Sequence, residues 1–256
     1  MSEDGRLESM LLPGGVQVLT LDRPKRRNAL TQALLEALAR ALRPDPAVRA
    51  LILEARGPAF CAGYDLGQLA ADAEASRLPD ARIQEVMALL EGHPAPSVAV
   101  VHGSAFGAGC ELACACDFRI GTPDAVFCMP PVRLGVVYAP DGIWRLVRLV
   151  GLQRARVMLL TAREIAAQEA LGWGLLDECL PDGQARGRQL ADELAAGAPL
   201  AVGGLKRALG HLGHSPIDDA QRTELEGLRA EAFASADAHE ARLAIKERRP
   251  PRWQGR

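Results

Sequence analysis

No apolar run in this 256-residue chain approaches the ~20 residues that a helix needs to cross a bilayer. Charge of one sign is also missing. The formal net charge is -2, which gives no basic surface for nucleic acid and no reason to expect a membrane partner. Lysine is scarce: Lys25, Lys206 and Lys246 stand alone, and arginine supplies the remaining positive charge. With the heavy alanine use, this bias reflects a GC-rich genome rather than a function. Tyrosine occurs only at Tyr64 and Tyr138. The opening MSEDGRLESM is polar and acidic and lacks the pattern of a secretory signal, so a cytoplasmic location is expected. There is no low-complexity linker and no tandem repeat.

Metal-ligand spacing is absent as well. Cys61, Cys110, Cys114, Cys116, Cys128 and Cys179 all lie in or beside apolar segments. Cys114 and Cys116 point in different directions on a predicted helix, so reduced packing residues are expected. His93, His211, His214 and His239 show no metal spacing either. What is present is apolar content of 48%, ample for one large domain or a compact domain with an appendage.

Periodicity predicts strands at Val16–Leu21, Ala50–Glu54, Ser97–Val101, Phe118–Gly121, Val126–Cys128 and Asp177–Leu180. Thr31 is placed to cap a helix whose apolar face is Leu34, Leu35, Leu38 and Leu42, and Pro44 and Pro46 stop it. Further helices are expected at Ile83–Leu90, Glu111–Cys116, Pro140–Val150, Gln153–Leu160 and Ala166–Leu171. A mobile loop is expected over residues 67–81, and a nearly all-helical pattern from Gln184 onward. The pattern is α/β.

Two small-residue turns stand out. Pro58 to Leu66 reads PAFCAGYDL, and His102 to Asp117 reads HGSAFGAGCELACACD. Each follows a strand-like run and leads into helical spacing. Such a turn leaves backbone N–H groups pointing outward. Two of them facing one another would hold an oxygen that gains negative charge.

These turns, with LDRPKRRNAL at Leu21–Leu30, the segment ending in LGVVY, Leu171–Leu175 and the Glu247–Arg249 tail, resemble the crotonase family, the enoyl-CoA hydratase/isomerases. The resemblance covers nearly the whole chain. It implies a spiral of β-β-α units over residues 1–195 and a C-terminal helical oligomerisation region over residues 196–256. It also implies a coenzyme A thioester as substrate, no metal or redox cofactor, and assembly as a homotrimer or dimer of trimers.

By position in the family pattern, the N–H groups of Tyr64 and Ala108 form the oxyanion hole. Family members usually have Gly at the second position; Ala108 supplies the same N–H provided that its φ is negative. Glu111 matches one of the two glutamates that do acid–base work in the family's hydratases. Its sequence neighbours, Gly109, Cys110, Leu112 and Ala113, suggest an apolar setting that would raise its pKa. Pro131 stands where the second glutamate would align and cannot move a proton, which puts efficient hydration in doubt. Moving a double bond needs one acid–base group only.

The stretch MPPVRLGVVY resembles the methylmalonyl-CoA decarboxylase branch, in which a tyrosine at the position of Tyr138 contributes to the site. That branch's bacterial example carries His where this chain has Tyr64. For coenzyme A, the resemblance points to Arg23, Lys25 and Arg26, to backbone groups of Ala62, to Asp65, and to Arg248 on the terminal helix. Asp65 is also placed to cap the turn that follows it, and His102 to satisfy turn backbone. Three functions compete: a hydratase or isomerase working through Glu111, a decarboxylase of a short malonyl-type thioester using Tyr138, and a non-catalytic acyl-CoA-binding protein.

Overall fold

Short Val-, Leu- and Ile-rich runs separated by helices build a sheet that is covered on both faces. The computed structural model describes residues 5–65, 67–68, 80–134 and 137–213, with scattered positions beyond. Strands β1 (Arg6–Leu11), β2 (Val16–Asp22), β3 (Ala50–Ala55) and β4 (Ser97–Val101) lie side by side. β6 (Phe118–Gly121) and β9 (Glu178–Cys179) complete this sheet, in the order β1-β2-β3-β4-β6-β9. β1 pairs antiparallel with β2; every other neighbour is parallel, with Leu51 opposite Ser97 and Val98 opposite Phe118. All five residues of β4 are buried, as expected for a parallel strand packed on both sides.

A second sheet, β5-β7-β8, is formed by Ser104–Phe106, Val126–Cys128 and Ile165–Ala166. The chain runs from β4 into β5, through helix α3 (Ala108–Ala115), and back to β6 and β7. This alternation between the sheets is the expected β-β-α spiral. The earlier helices are α1 (Gln32–Ala41), capped by Thr31 through its side chain, and α2 (Asp80–Gly92). After β7 come α4 (Pro131–Leu134), α5 (Pro140–Val150), α6 (Leu152–Thr161), α7 (Ala167–Trp173), α8 (Gly183–Ala195) and α9 (Pro199–Leu212).

One core joins α1, α2, α3 and α5 to the large sheet through residues such as Leu35, Phe60, Met87, Leu112 and Leu146. A smaller one lies beneath α8, with Val16, Ile52, Val98 and Ala191. Helix α9 is tied to the body by Lys206, whose ammonium meets Asp117 at 2.7 Å and donates to the carbonyls of Leu90 and Ala95.

The strands and helices anticipated from periodicity are present with small boundary shifts. β1, β5, β8 and α4 were not anticipated; three are four residues or shorter, too short to set up a period. Helix α3 begins at Ala108, before the expected start at Glu111. Its first residues are small because they press on the first turn: a Cβ on Gly109 would overlap Cys61. Most of the loop expected over 67–81, and most of the chain beyond Gly213, lies outside the described residues. No described helix is long and apolar enough to cross a membrane.

Candidate active site

The two small-residue turns meet. Phe60 N–H donates to His102 O at 2.8 Å, Cys61 N–H to Ser104 O at 3.0 Å, and Phe106 N–H to Cys61 O at 2.9 Å. The first turn therefore runs as an extra parallel strand along β5. Gly63 has φ +98 and abuts Phe106; a Cβ there would lie 2.7 Å from Phe106 O and 3.6 Å from Ala108 N. Only glycine permits both this conformation and this approach.

The next residue is Tyr64. Leu30 N–H donates to Gly63 O and Asp65 N–H to Leu30 O. Because backbone groups alternate along an extended segment, the Tyr64 N–H faces away from Leu30. Ala108 is the first residue of α3, where an N–H has no acceptor within the helix. Among the described non-glycine residues, positive φ occurs at Arg27, Asn28 and Ala162 only, so Ala108 has ordinary helical geometry. The Tyr64 side chain turns to α1, where its hydroxyl accepts from Gln32 Nε2 at 3.0 Å.

Glu111 sits on the first turn of α3 and is 5% exposed. Its setting is less apolar than its sequence neighbours suggest. The carboxylate lies against Gly142 of α5, where a Cβ would overlap Oε1, and Gln84 of α2 stands beside the same point. Arg145 Nη1 is 3.9 Å from Oε1. Arg145 is itself buried and is held by Glu91 through bonds of 3.1 and 2.9 Å. Burial works against its charge, but Glu91, helped by Glu111, raises its pKa above the usual arginine value, so the cation is permanent. A fixed positive charge thus faces the carboxylate from behind.

Tyr138 is half-buried, and its hydroxyl lies 3.2 Å from where a Cβ on Gly107 would be. It therefore reaches the turn that carries the Ala108 N–H. Pro131 is buried at the start of α4 and brings no carboxylate.

The nucleotide-side residues divide. Arg23 donates to Asp65 Oδ2 at 2.6 Å and to Ala29 O at 3.2 Å, and its side chain is 10% exposed. Asp65 also accepts from the N–H groups of Gly67 and Gln68, so it caps the turn as anticipated. This pair holds the loop together, while Lys25 and Arg26 remain exposed on the short 3-10 turn Pro24–Arg26. The Ala62 N–H is engaged by Arg27 O, so a contact with the pantetheine arm falls to its carbonyl. Arg248 lies outside the described residues. His102 Nε2 is 2.9 Å from Gly57 O, a turn contact as expected.

Sequence reasoning missed Asn28, Gln84, Glu91, Gly142 and Arg145. Asn28 is fully buried with φ 55; it accepts from Arg23 N–H and donates to Arg56 O and Ala59 O, pinning the loop to the first turn. The motif NAL after three basic residues was its only signal. All six cysteines are free, and the described residues contain no metal-binding group of three or more His, Cys, Asp or Glu side chains.

Comparison with known proteins agrees with this geometry. The family profile described as Enoyl-CoA hydratase/isomerase matches residues 12–256. A probable enoyl-CoA hydratase of Mycobacterium tuberculosis is 41% identical over 244 residues, covering 94% of this chain and 96% of that one. The 2,3-dehydroadipyl-CoA hydratase of Escherichia coli is 36% identical over 248 residues, covering 94% and 96%. The crystal structure of an enoyl-CoA hydratase from Bacillus anthracis superposes with a TM-score of 0.90 at 31% identity, covering 99% of this chain and all of that one. A profile match across nearly the full length and relatives of this identity make the chain a member of the enoyl-CoA hydratase/isomerase family.

Proposed function

We propose that this protein binds an acyl-CoA and works through its thioester enolate, with Glu111 as the acid–base group. The observation that carries this reading is the junction of the two turns. Gly63 abuts Phe106 and Ala108, and Glu111 follows on the same helix. The thioester oxygen would sit between the N–H groups of Tyr64 and Ala108, a donor pair that stabilises developing negative charge by a few kcal/mol, on the order of 3. Glu111 would take a proton from one carbon and return it to another. Lys25 and Arg26 would meet the nucleotide phosphates. The named relatives, which include hydratases and a carnitinyl-CoA dehydratase, support an acyl-CoA as the substrate class.

A second reading is decarboxylation of a methylmalonyl-type thioester. It is favoured by the Tyr138 hydroxyl beside Gly107. Loss of CO2 creates the enolate without a base, and Tyr138 would orient the leaving carboxylate or protonate C2. Assembly as a homotrimer or dimer of trimers fits the exposed leucines 205, 209 and 212 of α9.

The test is a paired assay of water addition to crotonyl-CoA and CO2 release from methylmalonyl-CoA. Wild type, Glu111→Gln and Tyr138→Phe are compared. Glu111-dependent turnover of crotonyl-CoA supports the first reading. CO2 release that depends on Tyr138 supports the second. Coenzyme A binding without turnover of either thioester contradicts both and leaves a binding protein.

A further inference from the structure

We infer that Gln84 is the second polar group at the reacting carbon and holds the water that a residue at Pro131 cannot. The inference rests on the acyl-CoA reading above and adds to it the manner in which water is positioned.

Helix α2 is fixed by Ile83, Val86, Met87 and Leu90, all buried. That packing turns Gln84 toward α5 and α3. There its amide and the Glu111 carboxylate both come up against Gly142. A Cβ on that glycine would overlap Glu111 Oε1 and lie 3.6 Å from Gln84 Nε2. Gln84 Oε1 is buried and has no hydrogen-bond partner among the described residues. A buried amide oxygen left this way is costly, and buried polar groups of this kind are normally satisfied by a ligand or a bound water. On its other side Gln84 lines a cavity of about 230 Å³ shared with Glu91, Asp141, Trp144, Arg145 and Arg148. Water therefore has room to reach the amide from this cavity.

The step balances as an addition of one water. The water oxygen bonds to C3 as the C2–C3 π pair moves onto the thioester oxygen between Tyr64 and Ala108. Glu111 takes one water proton and delivers it to C2 as the enolate collapses. Gln84 Oε1 accepts the other O–H and aims the oxygen at C3. One carboxylate then does the proton transfer, and an amide does the orienting that a second carboxylate would do.

The experiment measures two reactions on Gln84→Leu, Gln84→Glu and wild type: hydration of crotonyl-CoA, and exchange of the C2 hydrogens of butyryl-CoA with deuterium oxide. Exchange needs Glu111 and the oxyanion hole but adds no water. Gln84→Leu is expected to lose hydration by about 10–100-fold with a far smaller loss of exchange, and Gln84→Glu, which keeps an acceptor, is expected to retain most hydration. Equal losses in the two reactions, or unchanged hydration in Gln84→Leu, would overturn the assignment. Exchange without hydration in wild type would also overturn it while leaving the Glu111 reading intact. Absence of both reactions in wild type would instead strike at the acyl-CoA reading itself.

Discussion

The Glu111 carboxylate rests on Gly142, filling the space where any larger residue would place its Cβ. Helix α5 thus supplies the backing for the Glu111 carboxylate on α3. Gly142→Ala should displace the carboxylate by more than an ångström, because the added Cβ would overlap Oε1. A shift of that size costs turnover on the order of 100-fold. Coenzyme A affinity, measured by calorimetry, should change little, because Lys25 and Arg26, the proposed phosphate ligands, lie on another element.

Arg145 and Glu91 form the second support. Removing one member of a buried pair leaves an uncompensated charge and costs about 3–5 kcal/mol. Arg145 is 4% exposed in its side chain and Glu91 29%, and Glu91 keeps Arg148 at 3.5 Å when Arg145 is removed, so Glu91→Gln, which strands the buried cation, should be the more damaging of the pair. Urea unfolding of Arg145→Met and Glu91→Gln should give a clearly larger loss for the glutamate variant.

Much of this fold was legible in the chain, and the reason is local. β3 and β4 are continuous apolar runs, and α1 carries its own cap and leucine face, so each element announces itself within a few residues. The meeting of the two small-residue turns was legible because close backbone approach demands small residues at Gly63 and Gly109. The support of Glu111 was not legible, since Glu91, Gly142 and Arg145 come from helices distant in sequence and look like ordinary surface residues. The same limit misled the reading of Glu111's surroundings, which its neighbours suggested were apolar. The Arg23–Asp65 pair was not legible either, because nothing local revealed that Asp65 folds back onto the loop.

The Arg23–Asp65 pair should tie the first turn's stability to acid. Arg23 holds the Asp65 carboxyl below the usual range; burial opposes this, and the Gly67 and Gln68 N–H groups add to it. A carboxyl with a depressed folded pKa contributes its full stability above the unfolded value of about 3.9. The contribution disappears as pH falls through the lower folded value. Asp65→Asn should therefore be less stable than wild type at pH 7, by roughly 1 kcal/mol, with the gap closing as pH falls below the unfolded value of about 3.9 and through the lower folded one. Thermal melts across that range would reveal the convergence.

The cysteines should be inert in the native protein. Burial pushes the Cys61 and Cys116 thiols up to about 12 and raises Cys128 as well. Cys179 alone is partly exposed. A thiol reagent at pH 8 should titrate no more than one cysteine in the folded protein and all of them in denaturant. Rapid native labelling of several would contradict the packing.

The central claim is that Glu111 moves a proton at an enolate held by Tyr64 and Ala108. The direct measurement is the rate of C2 hydrogen exchange of butyryl-CoA in deuterium oxide, for wild type and Glu111→Gln, with coenzyme A affinity measured alongside. Loss of a positioned acid–base group should slow exchange by about 100–10,000-fold with affinity nearly unchanged. Equal exchange rates in the two proteins would contradict the account.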